Sequence, residues 1–247
     1  MTTTRLLCSK NPLRVLAICS NYKETNIYLP GVDVDKLNLY QFTHNANSSL
    51  RMLENPSKEE VRDAIETFQP NIIWMCGHGV LNDAKENVYI IDGSSLPRRV
   101  PARIAQLMPR NKLTEPEFTR LVLSNAKKRQ TTLYIFDFCH SCTMLDLPYF
   151  FENGFFYKKL GGEDADAAKQ RYVRFEHLEH LFIVISGCSD FETTEEDVRG
   201  GLLTQQLLYL LRREKALSLQ LLDTSLTRKA RISTSRPVDP QFIFCEI

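Results

Sequence analysis

Four stretches of this chain are apolar almost without interruption: Leu13–Ser20 (LRVLAICS), Asn71–Cys76 (NIIWMC), Thr132–Phe138 (TLYIFDF) and Leu181–Ser186 (LFIVIS). A strand with one wet face alternates apolar and polar residues. A strand covered on both faces reads as a continuous apolar run. The four runs therefore predict the centre of a mostly parallel sheet. Helical patterns lie between them, so the expected fold class is α/β with right-handed crossovers. At 247 residues the chain is predicted to form one domain over 1–247, with residues 1–12 as an N-terminal extension.

The helices announce their starts. Ser57-Lys58-Glu59-Glu60 and Thr114-Glu115-Pro116-Glu117 are both capping boxes, each followed by an apolar stripe at helical spacing. Leu202–Arg213 and Ser218–Thr227 read as two further helices. Ser49–Leu53, Val88–Ile91 and Gln241–Cys245 read as additional or edge strands, whereas Val32–Phe42 fits a strand or a helix. Asn82–Arg110 and Tyr149–His180 read as surface insertions. The pair His177 and His180 and the basic clusters Arg98-Arg99 and Lys127-Lys128-Arg129 read as packing or solvated positions.

Composition removes several functional classes. Lys plus Arg is 31 against 30 for Asp plus Glu, a balance that argues against a nucleic-acid partner. No apolar run approaches the ~18 residues of a membrane span. The seven cysteines are scattered and odd in number, which with no leader-like segment predicts a reducing, cytoplasmic setting rather than a disulfide framework.

Ligands of open α/β sheets bind beyond the carboxyl ends of the strands. Gly77-His78-Gly79 follows the second apolar run, Cys139-His140-Ser141-Cys142 the third and Gly187-Cys188-Ser189-Asp190 the fourth. A thiol becomes a strong nucleophile when an imidazole takes its proton. His78 arrives from a separate strand, whereas in extended chain His140 would point away from Cys139. The expected dyad is thus His78 and Cys139, with the amides of Gly79 and Cys139 as an oxyanion hole.

IFDFCHSCTMLDLPY (Ile135–Tyr149), CGHG (Cys76–Gly79) and ISGCSDFETTEE (Ile185–Glu196) resemble, in order, the nucleophile, histidine and third segments of the metacaspases. The resemblance runs from about Arg14 to the C-terminus. It implies a caspase-like fold and a Cys–His endopeptidase that cleaves protein or peptide substrates after Arg or Lys and acts as a monomer. Around the substrate's basic side chain it implies Asp137, Asp35, Asp190 and Cys76. Asp137 also stands two residues before Cys139, on the same strand face. Cys76, Phe138, Cys142 and Glu192 depart from the family pattern. No cofactor is implied for the chemistry. Calcium activation, which the family raises, would draw on Asp92, Glu115, Glu117 and Asp146. Tyr149–His180 begins beside the nucleophile strand and carries Lys158, Lys159, Lys169, Arg171 and Arg174, the expected self-cleavage sites of a zymogen. Prolines near the C-terminal FIFC run argue against edge pairing. Two rival readings stand beside this one: a catalytically impaired relative serving as a binding scaffold, and a C-x-x-C dithiol oxidoreductase built on Cys139 and Cys142.

Overall fold

In the computed structural model the four apolar runs become neighbouring strands of one sheet. The structure describes residues 13–46, 48–83, 86–101, 107–127, 130–142, 144–159, 175, 178–188, 196–197, 199–214, 216–226, 229–241 and 243–246. The chain begins β1 (Arg14–Cys19), α1 (Pro30–Asn45), β2 (Ser49–Glu54), α2 (Lys58–Phe68) and β3 (Ile72–Cys76). It continues β4 (Gly79–Leu81), β5 (Asn87–Ile90), β6 (Lys112–Thr114), α3 (Glu115–Ser124), β7 (Thr131–Asp137), β8 (Tyr149–Glu152) and β9 (Phe155–Lys158). Then come β10 (Leu181–Ser186), β11 (Glu196–Asp197), β12 (Gly200–Gly201), α4 (Leu202–Glu214), β13 (Ala216–Ser218), α5 (Leu219–Ser225), β14 (Arg231–Thr234) and β15 (Ile243–Glu246).

The main sheet has the order β2-β1-β3-β7-β10-β14-β8-β9. Pairing is parallel from β2 to β10 and antiparallel beyond. Alternation divides each apolar run between two cores. Val15, Ala17, Trp74, Ile135 and Ile183 pack with Val32, Leu39 and Phe42 of α1 and the leucines of α4 and α5. Leu16, Ile18, Met75, Phe136 and Val184 face α2 and α3 through Val61, Ile65, Phe118 and Val122. Strand residues on both faces are therefore buried, which explains why polar interruptions are so few.

Both capping boxes form. Ser57 Oγ accepts the Glu60 N–H and Glu60 accepts the Ser57 N–H; Thr114 and Glu117 do the same for α3. A Lys58–Glu117 ion pair of 2.8 Å ties the two helix starts together. Val32–Phe42 resolves as helix. Pro30 opens α1, and Val32, Asp35, Leu39 and Phe42 form its buried stripe.

Three sequence expectations change. Tyr149–His180 does not begin as a loop, because residues 149–158 form a hairpin, β8–β9, that extends the main sheet past β14. Val88–Ile91 joins a separate small sheet, β4-β5-β6. The C-terminal run, as β15, pairs with β13 rather than standing at the edge of the main sheet. The proline argument against edge pairing therefore addresses the wrong strand; the edge beyond β14 is occupied by the hairpin.

Candidate active site

β3 and β7 run parallel in a register that sets Cys76 opposite Asp137. Two residues further along each chain stand His78 and Cys139. The approach is close: a Cβ on Gly79 would overlap the Cys139 carbonyl oxygen and the Phe138 ring. Only a glycine lets the two strand ends meet this way.

His78 is fixed from three directions. Its N–H donates to the Tyr22 hydroxyl at 3.0 Å, and that hydroxyl donates to the Ile90 carbonyl at 2.7 Å. The Tyr22 oxygen is thus inserted into the 78–90 backbone pair, whose other bond, Ile90 N–H to the His78 carbonyl, remains at 2.9 Å. The Tyr22 ring stacks on the imidazole at 5.1 Å and 22°. Nε2 lies 2.9 Å from the Ile27 carbonyl. A carbonyl only accepts, so Nε2 carries the proton and Nδ1 keeps its lone pair. Burial holds the imidazole below its ordinary 6.5, partly offset by the Ile27 carbonyl, which favours the charged form. Because 78 and 90 form the hydrogen-bonded pair, ladder alternation turns the Gly79 N–H away from β5.

Cys139 stands half-buried on the turn that ends β7. His140 follows with φ 56°, in the left-handed region. The sequence argument against His140 assumed extended chain; the chain instead bends here. Cys142 is buried.

Asp137 and Asp35 are 6% and 1% exposed, and both face the start of α4. Asp137 accepts the Thr204 N–H at 2.8 Å, the third amide of that helix. Both oxygens of Asp35 lie 3.1 Å from the Gly201 N–H. A Cβ on Gly201 would collide with the Asp137 carboxylate, so the backbone of β12 stands directly against both acids. Burial raises the Asp137 carboxyl above its ordinary 3.8, against the lowering effect of the Thr204 bonds. Cys76 is 1% exposed and packs on Thr204, with Sγ 3.8 Å from Oγ1, while Trp74 Nε1 donates to the same hydroxyl at 3.1 Å. A hydrogen bond with Cys19, then burial and the nearby acids, push its thiol well above the usual range. Asp190 and Glu192 lie outside the described residues.

The four acids named for calcium do not converge. Glu117 is committed to its capping box and Lys58. Asp92 holds Ser94 and Ser95 in a turn. Glu115 and Asp146 line one cavity of about 230 Å³, with Asp146 paired to Lys159 at 3.1 Å. Among the described residues, no three His, Cys, Asp or Glu side chains gather as a metal site. Lys158 ends β9 and lies over the Tyr149 ring, and Lys159, which follows it, lies over Phe150 at 4.2 Å. β9 is four strands from β7, roughly 19 Å at ~4.8 Å per spacing. Lys169, Arg171 and Arg174 lie outside the described residues. No described helix is long and apolar enough to cross a membrane.

Sequence reasoning missed Tyr22, the Ile27 carbonyl, Gly201 and Thr204. A backbone carbonyl leaves no residue signature. Thr204 follows a Gly-Gly pair that marks the helix start without saying what faces it.

The crystal structure of protein GSU0716 from Geobacter sulfurreducens resembles this fold, with a TM-score of 0.61 at 15% identity over 96% of this chain and 100% of that one. Compared with curated protein sequences, the chain has no match. The family model of the caspase domain matches residues 13–237. With its mostly parallel sheet and that match over most of its length, the chain belongs to the caspase-domain family of cysteine peptidases.

Proposed function

We propose that this caspase-type domain is a metacaspase-like endopeptidase in which Cys139 is the nucleophile, His78 the general base, and Arg or Lys the residue before the cut bond. The observation that carries the reading is the hydrogen bond of His78 Nε2 to the Ile27 carbonyl. It leaves the Nδ1 lone pair to take the Cys139 thiol proton. The thiolate then attacks the peptide carbonyl, and the developing oxyanion is met by the N–H groups of Gly79 and Cys139. The imidazolium returns its proton to the leaving amine, and water releases the acyl-enzyme along the same route.

Specificity for a cation rests on Asp137 and Asp35, buried two residues from the nucleophile and against β12. A substrate guanidinium or ammonium offers them charge-assisted bonds in place of those from backbone N–H groups. For it to enter, β12 must draw back. The hairpin β8–β9 occupies the sheet edge beyond β14, in keeping with a monomer; light scattering at micromolar concentration reads this, and a stable dimer contradicts it. Self-processing, if it accompanies activity, falls at Lys169, Arg171 or Arg174 rather than in the hairpin. Intact-mass spectrometry of active protein against Cys139→Ala checks this, and a cut after Lys158 contradicts it.

The test is a set of peptides differing only in the residue before the scissile bond. Arg and Lys peptides are cut and the Asp peptide is not. His78→Ala lowers the rate by about 10²–10⁴-fold, and Cys139→Ala abolishes it. Cleavage near the wild-type rate in either variant, or cleavage that prefers Asp, refutes the proposal. No cleavage at all favours the scaffold reading. The dithiol reading loses its footing because the chain belongs to the caspase-domain family.

A further inference from the structure

A second cavity adjoins His78 and shares no residue with the acid cluster. It measures about 750 Å³, within the ~300–1,000 Å³ range of binding sites, and Ile27, His78, Val80, Leu81, Val100 and Leu107 are among the residues that line it. Its floor is a small apolar core of its own. Tyr22, Ile90, Val100 and Leu107 are buried there, with Ile27, Leu29, Val80 and Leu96 packed against them. Arg99, exposed, is also part of the lining.

Given the catalytic reading above, chemistry assigns this cavity a place in the substrate. The imidazolium of His78 must hand its proton to the departing amine. The residue that owns that amine therefore leaves along the His78 side, away from the acids that receive the preceding cation. Strand alternation puts Val80 on the same side of β4 as His78, so apolar surface continues directly from the imidazole. We infer that the cavity is the leaving-group subsite. It takes a large apolar side chain, such as Leu or Phe, immediately after the scissile bond, and Arg99 disfavours a cation there. The enzyme then reads two positions: a cation before the bond and an apolar residue after it.

A peptide library with Arg fixed before the bond and the next residue varied tests this, with kcat/KM read by mass spectrometry. Leu and Phe exceed Lys and Gly by about tenfold or more, the scale on which apolar pockets discriminate. In Leu81→Glu, a half-buried lining position, the preference inverts and Lys overtakes Leu. A flat profile in the wild type, with every peptide still cut after Arg, overturns the subsite and leaves the dyad standing. A library in which nothing is cut overturns the dyad with it.

Discussion

Asp137 has one role that the structure shows, a carboxylate that receives a helix N-terminus, and one that is proposed, a carboxylate that selects a substrate cation. Asp137→Asn keeps the shape and an acceptor oxygen for the Thr204 N–H, now 2.8 Å from Oδ2, but removes the charge. For the fold the change is small. A neutral amide gives up some bond strength, about 1 kcal/mol, but it also ends the cost of holding an ion in the core. The sign follows from the raised carboxyl. The stability Asp137 contributes is fully present below its unfolded value near 3.8 and is lost as pH rises through the higher folded value. At neutral pH the Asn variant should therefore melt at or above the wild type, and the gap should close as pH falls. For catalysis the change is large. A substrate cation left without its buried partner costs about 2–5 kcal/mol, a fall of roughly 30- to 5,000-fold in kcat/KM for Arg peptides. Calorimetry and peptide kinetics on one preparation read both. A variant that melts much lower yet cuts Arg peptides at the wild-type rate would make Asp137 a helix cap alone and refute the specificity argument.

Three further outcomes follow from the geometry around His78. Tyr22→Phe keeps the ring stack but orphans the His78 N–H and the Ile90 carbonyl, a loss of about 2 kcal/mol; the Tm falls by about 4–8 °C, and an unchanged Tm contradicts the bridging role. Because burial depresses His78, its base form persists below pH 6.5. The acid limb of kcat/KM lies below that pH, and the stability His78 contributes at neutral pH declines as the unfolded imidazole protonates beneath 6.5; an acid limb above 6.5 counts against His78 as the base. Gly79→Ala drives a methyl into the Cys139 carbonyl and displaces the proposed oxyanion donor, so activity drops by about 10²–10³-fold, and near-normal turnover removes Gly79 from the site.

The sheet was legible because burial on both faces writes itself as unbroken apolar runs, and the two capping boxes marked the helices that cover one face. The proposed pairing of His78 with Cys139 rests on the same rule, since parallel strands deliver their next residues to one edge. Other features were hidden for identifiable reasons. Asp35 occupies a buried stripe position of α1, so the helical period of Val32–Phe42 was broken by a charge. The β8–β9 hairpin carried its own signal in Asn153-Gly154, whose φ values are 52° and 81° and which is the dipeptide favoured in two-residue hairpin turns. The aromatic residues around it were read as insertion instead. The contacts between Asp137, Asp35 and the start of α4 join residues more than 60 and 160 positions apart, and no local pattern encodes them. What anchors His78 is a backbone carbonyl and a tyrosine at the far end of β1, neither of which any spacing rule connects to it.

The central claim is that Cys139 is a nucleophile activated by His78 beside an acidic pocket. A peptide ending in Arg and bearing an acyl electrophile tests it most directly, with intact-mass and fragment spectra recording the adduct. The expected result is a single adduct on Cys139, formed far more slowly in His78→Ala and slowly with the Asp-bearing counterpart. Equal labelling in His78→Ala, modification of another cysteine, or no difference between the Arg and Asp probes would contradict it.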